Sequence, residues 1–193
     1  VATAPKVRVT DTAGNGVPDV TVTFTVASGS GKITANSDAS EVNSAAVTTD
    51  ADGYAAVDSW RLGNTAGTGN NTLTAEAVDG ADDPLAGSPV TFTASGTSGA
   101  FDHLLFIDQP TTSASGVSNT DTVKVAGVDY YDNTVSTFTG KTISLSTVKA
   151  SDNTAAATIA ATVDAVHTGS GVYAFSPYTV TGTAGTNYYK VKA

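Results

Sequence analysis

The chain has no cysteine, no methionine and only two glutamates, and it is poor in basic residues and in leucine. Each shortage excludes something. Without cysteine there is no disulfide, no thiolate metal site and no cysteine nucleophile. With so little Leu, Glu, Lys and Met, the side chains that lose least rotamer freedom in a helix are scarce. Nine basic residues against eighteen acidic ones leave a net charge of −9. That balance repels a phosphate backbone, and no Lys/Arg cluster offsets it, so nucleic acid is not an expected partner. No apolar run reaches the roughly 18 residues of a membrane-spanning helix, so no membrane insertion is expected. The sequence opens at Val1, without a signal-peptide pattern.

What is present is β-forming. Val, Thr and aromatic residues fit a pleated, half-buried surface, and nineteen glycines with many Asn and Asp supply turns. Alternation with period 2 recurs in Lys6-Val7-Arg8-Val9-Thr10, in residues 20–26, 71–76 and 90–94, and again in residues 103–107, 122–125, 142–146 and 188–192. Turn signals lie between them at Ala13-Gly14-Asn15-Gly16, Asp50-Ala51-Asp52-Gly53, Asp79-Gly80 and Thr168-Gly169-Ser170-Gly171. Residues 155–166 are alanine-rich and admit a helical turn, although Thr158, Ile159, Thr162 and Val163 favour strand. Short strands with frequent turns predict an all-β chain of β-sandwich type.

The one break in composition, Ala94-Ser95-Gly96-Thr97-Ser98-Gly99-Ala100, divides the chain into two expected domains, residues 1–98 and 99–193. An internal repeat relates them. A shift of 118 places Lys6-Val7 on Lys124-Val125, Asp11 on Asp129, Asn15 on Asn133, Val17 on Val135 and Gly53 on Gly171. The same shift places Thr65-Ala66-Gly67-Thr68 on Thr183-Ala184-Gly185-Thr186. Counterparts of residues 103–118 would precede Val1, and counterparts of residues 76–95 would follow Ala193. The first domain is therefore expected to lack its first strand upstream, and the second its last strand downstream.

In order and spacing, Val9-Thr10-Asp11-Thr12-Ala13-Gly14-Asn15-Gly16-Val17-Pro18-Asp19-Val20, then Val22-Thr23-Phe24, residues 49–55, residues 71–75 and residues 89–94 form one pattern. With it the first domain resembles the bacterial Ig-like domains of the invasin and intimin group. The second, through Leu105-Phe106-Ile107-Asp108-Gln109-Pro110 and residues 135–140, is similar to a relative found in large bacterial surface proteins, with Asp132-Asn133 in place of the usual Gly-Asn turn. The resemblance implies two tandem immunoglobulin-like β-sandwiches in an extracellular, cell-surface setting. Such domains stack into a stalk that presents a binding tip located elsewhere, and they carry no catalytic residue.

Candidate chemistry is sparse. His103 and His167 are the only imidazoles, and neither has nucleophile-elbow or zinc-ligand spacing, so no enzyme activity is expected. Asp79, Asp82 and Asp83 are the best candidates for a calcium site, because three carboxylates within five residues could share one hard cation; a solvated loop is the plainer alternative. Asp50-x-Asp52-Gly53 echoes the start of an EF-hand loop without its later ligands and reads as a turn. A junction site using Asp102 or Asp108 has no support in the spacing. Trp60 suits either a core position or a sugar-stacking platform. In the pairs Tyr130-Tyr131 and Tyr188-Tyr189, strand geometry would leave one ring of each facing solvent. Asn70-Asn71-Thr72 is a lone glycosylation sequon. No resident cofactor is expected. The expected partners are neighbouring Ig-like domains of the same or adjacent chains, with host or cell-surface protein or glycan reached through other domains. The competing expectation is a self-assembling subunit of an extracellular filament, sheath, surface layer or virion appendage, with strand exchange as one route of assembly.

Overall fold

The computed structural model describes residues 1–109, 118–119, 122–144, 146–149, 158–160, 165–175, 178–181 and 189–192. The described residues are all β, with no helix among them. The chain divides into two compact units, Val1–Thr97 and Ser98–Ala193.

The first unit contains β1 (Lys6–Arg8), β2 (Thr21–Ser28), β3 (Lys32–Ala35), β4 (Asp38–Val42), β5 (Ser44–Thr48), β6 (Tyr54–Ala56), β7 (Ser59–Arg61), β8 (Gly67–Ala77) and β9 (Val90–Gly96). One sheet has the order β5-β2-β8-β9, a second has β4-β3-β7, and β1 pairs with β6. Alternation explains which side chains go inward. In β2, Val22 and Phe24 are buried while Thr21 and Thr23 are exposed. In β8, Asn71, Leu73, Ala75 and Ala77 are buried. Ile33 and Trp60, directly paired across β3 and β7, supply the opposite wall of the same core. The two sheets thus face each other across one apolar layer in a sandwich-like arrangement. Each fully buried Phe, Leu or Ile there contributes about 1.5–3 kcal/mol of transfer free energy.

Two buried polar side chains stitch this unit. The Thr49 hydroxyl accepts the Val20 N–H at 2.9 Å and donates to the Val17 carbonyl at 2.8 Å. Asn71 accepts the Gly63 N–H at 3.0 Å and donates to the Asn70 side-chain oxygen at 2.8 Å. Both residues are almost fully buried, where an unmade hydrogen bond would cost far more than a made one yields.

The second unit contains β10 (His103–Asp108), β11 (Ser118–Asn119), β12 (Val123–Val128), β13 (Ser146–Lys149), β14 (Thr158–Ala160), β15 (Val166–Gly169), β16 (Val172–Phe175), β17 (Tyr178–Thr181) and β18 (Tyr189–Lys192). Its sheets run β10-β12-β16-β15 and β11-β17-β14, with β13 paired to β18. Val123, Val125, Val135, Phe138, Ile143, Tyr173 and Phe175 form its core, and Leu104 and Phe106 of β10 pack against it. The strand expected over residues 142–146 is shifted: residues 142–144 are irregular and β13 starts at Ser146. Ile143 is buried even so, which satisfies the apolar pattern without ladder hydrogen bonds. Within the stretch 155–166, residues 158–160 form β14 and Val166 opens β15. Residues 155–157, 161–164 and 183–186, together with Pro110 and Tyr188, lie outside the described residues.

Candidate functional site: aspartate loops and an uncovered strand edge

Four aspartates build the same five-residue loop. The Oδ1 atoms of Asp11, Asp50, Asp79 and Asp129 each accept the backbone N–H groups two and four residues on. The distances are 2.9 and 2.8 Å to Ala13 and Asn15, and 2.9 Å to both Asp52 and Tyr54. They are 2.8 and 3.1 Å to Ala81 and Asp83, and 2.9 and 3.0 Å to Tyr131 and Asn133. In every loop the aspartate's own N–H donates to the carbonyl four residues on at 2.9 Å. The residue three places on adopts positive φ: Gly14 at 88°, Gly53 at 82°, Asp82 at 63° and Asp132 at 65°. Asp is suited to the first position because its carboxylate caps the turn. Gly or Asp is suited to the fourth because both tolerate the left-handed region.

This arrangement relocates the calcium candidates. The Asp79 carboxylate caps its own loop, Asp82 occupies the positive-φ position, and Asp83 contributes a backbone N–H. Among the described residues no group of three or more His, Cys, Asp or Glu side chains is arranged to hold a metal ion. Asp50 and Asp52 sit in the equivalent loop before β6, which accounts for their EF-hand-like spacing. The 118-residue repeat aligned two of these aspartates, Asp11 and Asp129; the loops at Asp50 and Asp79 are a third and a fourth example. All four share the pattern Asp-x-x-(Gly or Asp), with intervening residues that differ from loop to loop.

Charge follows geometry. Bonds from the Asn15 side chain and backbone hold the Asp11 carboxyl below its ordinary range. The Asp129 carboxyl is lowered to about 2, chiefly by the Gly99 N–H at 2.8 Å and then by Asn133; desolvation pushes the other way and loses. Asp102 and Asp132 flank the two ring nitrogens of the half-exposed His103, at 2.9 and 3.1 Å, and Asp108 meets Lys124 at 3.3 Å. His167 packs edge-on against the buried Tyr173 ring.

Trp60 is buried in the first core, so it offers no sugar platform; its indole N–H has no hydrogen-bond partner among the described residues. The tyrosine expectation also changes. Tyr130 and Tyr131 are both exposed, in an edge-to-face pair, because they lie in the Asp129 loop and escape strand alternation. Tyr189 lies in β18. In the sequon, Asn70 donates its side-chain amide to the Thr65 carbonyl at 2.7 Å and accepts the Gly96 N–H at 3.1 Å, a structural use of the group a glycan would need.

The repeat extends to strand register. Lys6, Val7 and Arg8 of β1 oppose Ala56, Ala55 and Tyr54. The residues 118 positions on, Lys124, Val125 and Ala126 of β12, oppose Ala174, Tyr173 and Val172, each itself 118 positions on. The isolated bridges Thr10 to Gly16 and Val128 to Thr134 obey the same shift, as do the bonds from Val9 N–H to Gly53 C=O and from Gly127 N–H to Gly171 C=O. One difference stands out. β12 is covered on its other edge by β10, whereas among the described residues β1 pairs only with β6. Beside this uncovered edge runs a groove lined by Val7, Val9, Val22, Ala77, Leu85 and Val90. A second depression, between the segment preceding β1 and β9, is lined by Pro5, Lys6, Trp60 and Phe92.

No family model matches the chain, and no curated protein or solved structure is significantly similar to it.

Proposed function

We propose that the two units are immunoglobulin-like β-sandwich modules of a non-enzymatic structural spacer in an extracellular bacterial surface protein. In this reading the modules hold a binding tip, carried elsewhere, away from the surface. The observation that carries it is the register-matched repeat: one strand pair, one aspartate loop and one positive-φ glycine recur at a fixed shift of 118. Duplicated small modules of this kind extend a chain without requiring a larger core. The capped loops favour the reading too, since turns tied by four or more hydrogen bonds offer little slack to proteases or to bending. The resemblance to invasin- and intimin-type domains points the same way. The mass of the native polypeptide under denaturing conditions tests it. A mass many times that of the 19.2 kDa chain fits an array of modules, and a mass close to it removes the spacer reading.

The uncovered β1 edge favours a second reading, a self-assembling subunit of a filament, sheath, surface layer or virion appendage. An unpaired strand edge is a template for pairing with another segment.

A further inference from the structure

We propose that the β1 edge of the first unit is a strand-acceptor site for an extended polypeptide segment from outside residues 1–193. The segment has apolar residues opposite Val9 and Val7 and an acidic residue opposite Lys6.

The second unit supplies the template. β10 lies antiparallel on β12 with Leu104 opposite Gly127, Phe106 opposite Val125 and, after a bulge, Asp108 opposite Lys124. Leu104 and Phe106 pack against the core, and the Asp108 carboxylate meets the Lys124 ammonium. Moved back by 118, those three positions fall opposite Val9, Val7 and Lys6. Val7 and Val9 line the groove, together with Val22, Ala77 and Leu85, so two apolar side chains entering there would leave water. Directly opposite residues on an antiparallel pair project to the same face, which fixes the alternation of the incoming strand.

The backbone is poised as well. Val9 N–H and Pro5 C=O bond toward the β6 side. In a ladder the bonding direction alternates along the strand, so the amides of Lys6 and Arg8 point toward the uncovered edge. The strand does not come from residues 1–193 of a second copy. Each copy carries two such edges and, among the described residues, one strand of this pattern, β10. Exchange between copies would move the vacancy from one unit to the other without filling it. The proposal does not depend on the spacer reading, since a strand could dock on either a stalk or an assembly.

The test titrates a synthetic peptide with the sequence of residues 101–109 into the intact isotope-labelled chain and follows amide hydrogen exchange by NMR. Exchange at Lys6 and Arg8 is expected to slow roughly tenfold or more at saturation, while Val7, already paired, changes little. A peptide carrying L104D and F106D is expected to have no effect. Arg8→Pro, which removes an outward N–H that β6 does not use, is expected to abolish binding while Trp60 fluorescence reports an intact core. If that variant does not fold, the charge pair decides: an Asp108→Lys peptide binds weakly to the native chain and recovers on Lys6→Glu. No slowing at millimolar peptide, or slowing unaffected by the peptide substitutions, overturns the proposal. Slowed exchange at Lys6 and Arg8 in a concentration-dependent dimer without peptide overturns it too, by assigning the edge to a second copy.

Discussion

Replacing Thr49 by Val keeps shape and β-branching and removes only the hydroxyl. That hydroxyl is buried, accepting from Val20 N–H and donating to Val17 C=O, both on half-buried residues. Valine makes neither bond, so the Val20 N–H and the Val17 C=O both lose the partner they have in the native chain. An orphaned group costs about 1–3 kcal/mol when buried, and the half-buried setting of these two holds the total for the first unit to roughly 2–4 kcal/mol. For a unit of this size that lowers the melting temperature by roughly 10–25 °C. The assay is urea and thermal unfolding followed by tryptophan fluorescence. Trp60 is the only tryptophan and is buried in the first core, so its signal reports this unit alone. Thr49→Ser, which keeps the hydroxyl, should cost less than about 1.5 kcal/mol, the range of one lost methyl group. A Thr49→Val chain within about 0.5 kcal/mol of the native one, the range of an inert surface change, would refute the stitching role of this side chain.

Other outcomes follow from the same contacts. A Cβ at Gly127 would lie 2.2 Å from the Phe138 ring, while the repeat places Val9 and Val20 at the matching positions. Gly127→Val alone should therefore destabilise the second unit by about 1–3 kcal/mol, and Phe138→Val in the same chain should recover much of it, as a double-mutant cycle by calorimetry would show. The Asp129 carboxyl, at 3.8 unfolded and about 2 folded, stabilises the second unit in full above the unfolded value and loses that contribution as pH falls from about 4 to 2. Asp129→Asn should thus flatten the acid limb of the calorimetric profile for this unit, and an unchanged limb would contradict the loop's hydrogen bonding. Asp79→Ala should cost about 1 kcal/mol of stability in urea melts, while Asp79→Asn, which keeps the accepting oxygen, should cost clearly less.

Strand content was legible wherever one face is buried. The alternation over residues 20–26 becomes β2, and that over 71–76 lies inside β8, because inward Val22, Phe24, Leu73 and Ala75 must all reach one core. β4 was not legible: Asp38–Val42 is exposed throughout, so no periodicity marks it. Residues 142–144 misled because Ile143 is buried in irregular backbone, and burial alone does not specify a ladder. The aspartates were visible as turn formers, but their shared loop was not, since it depends on bonds to backbone N–H groups whose side chains vary. The open edge was half legible. The 118-residue shift exposed a missing counterpart of β10, while the groove beside Val7 and Val9 required the fold.

Residue-resolved amide hydrogen exchange on the chain alone tests most directly the claim that the β1–β6 and β12–β16 pairs share one register and that only β12 has its outer edge covered, by β10. The account predicts matched protection of the inward-paired amides, Val9 with Gly127, and rapid exchange at Lys6 and Arg8 against strong protection at Lys124 and Ala126. Equal protection at Lys6, Arg8, Lys124 and Ala126 would contradict it, because the β1 edge would then already be covered.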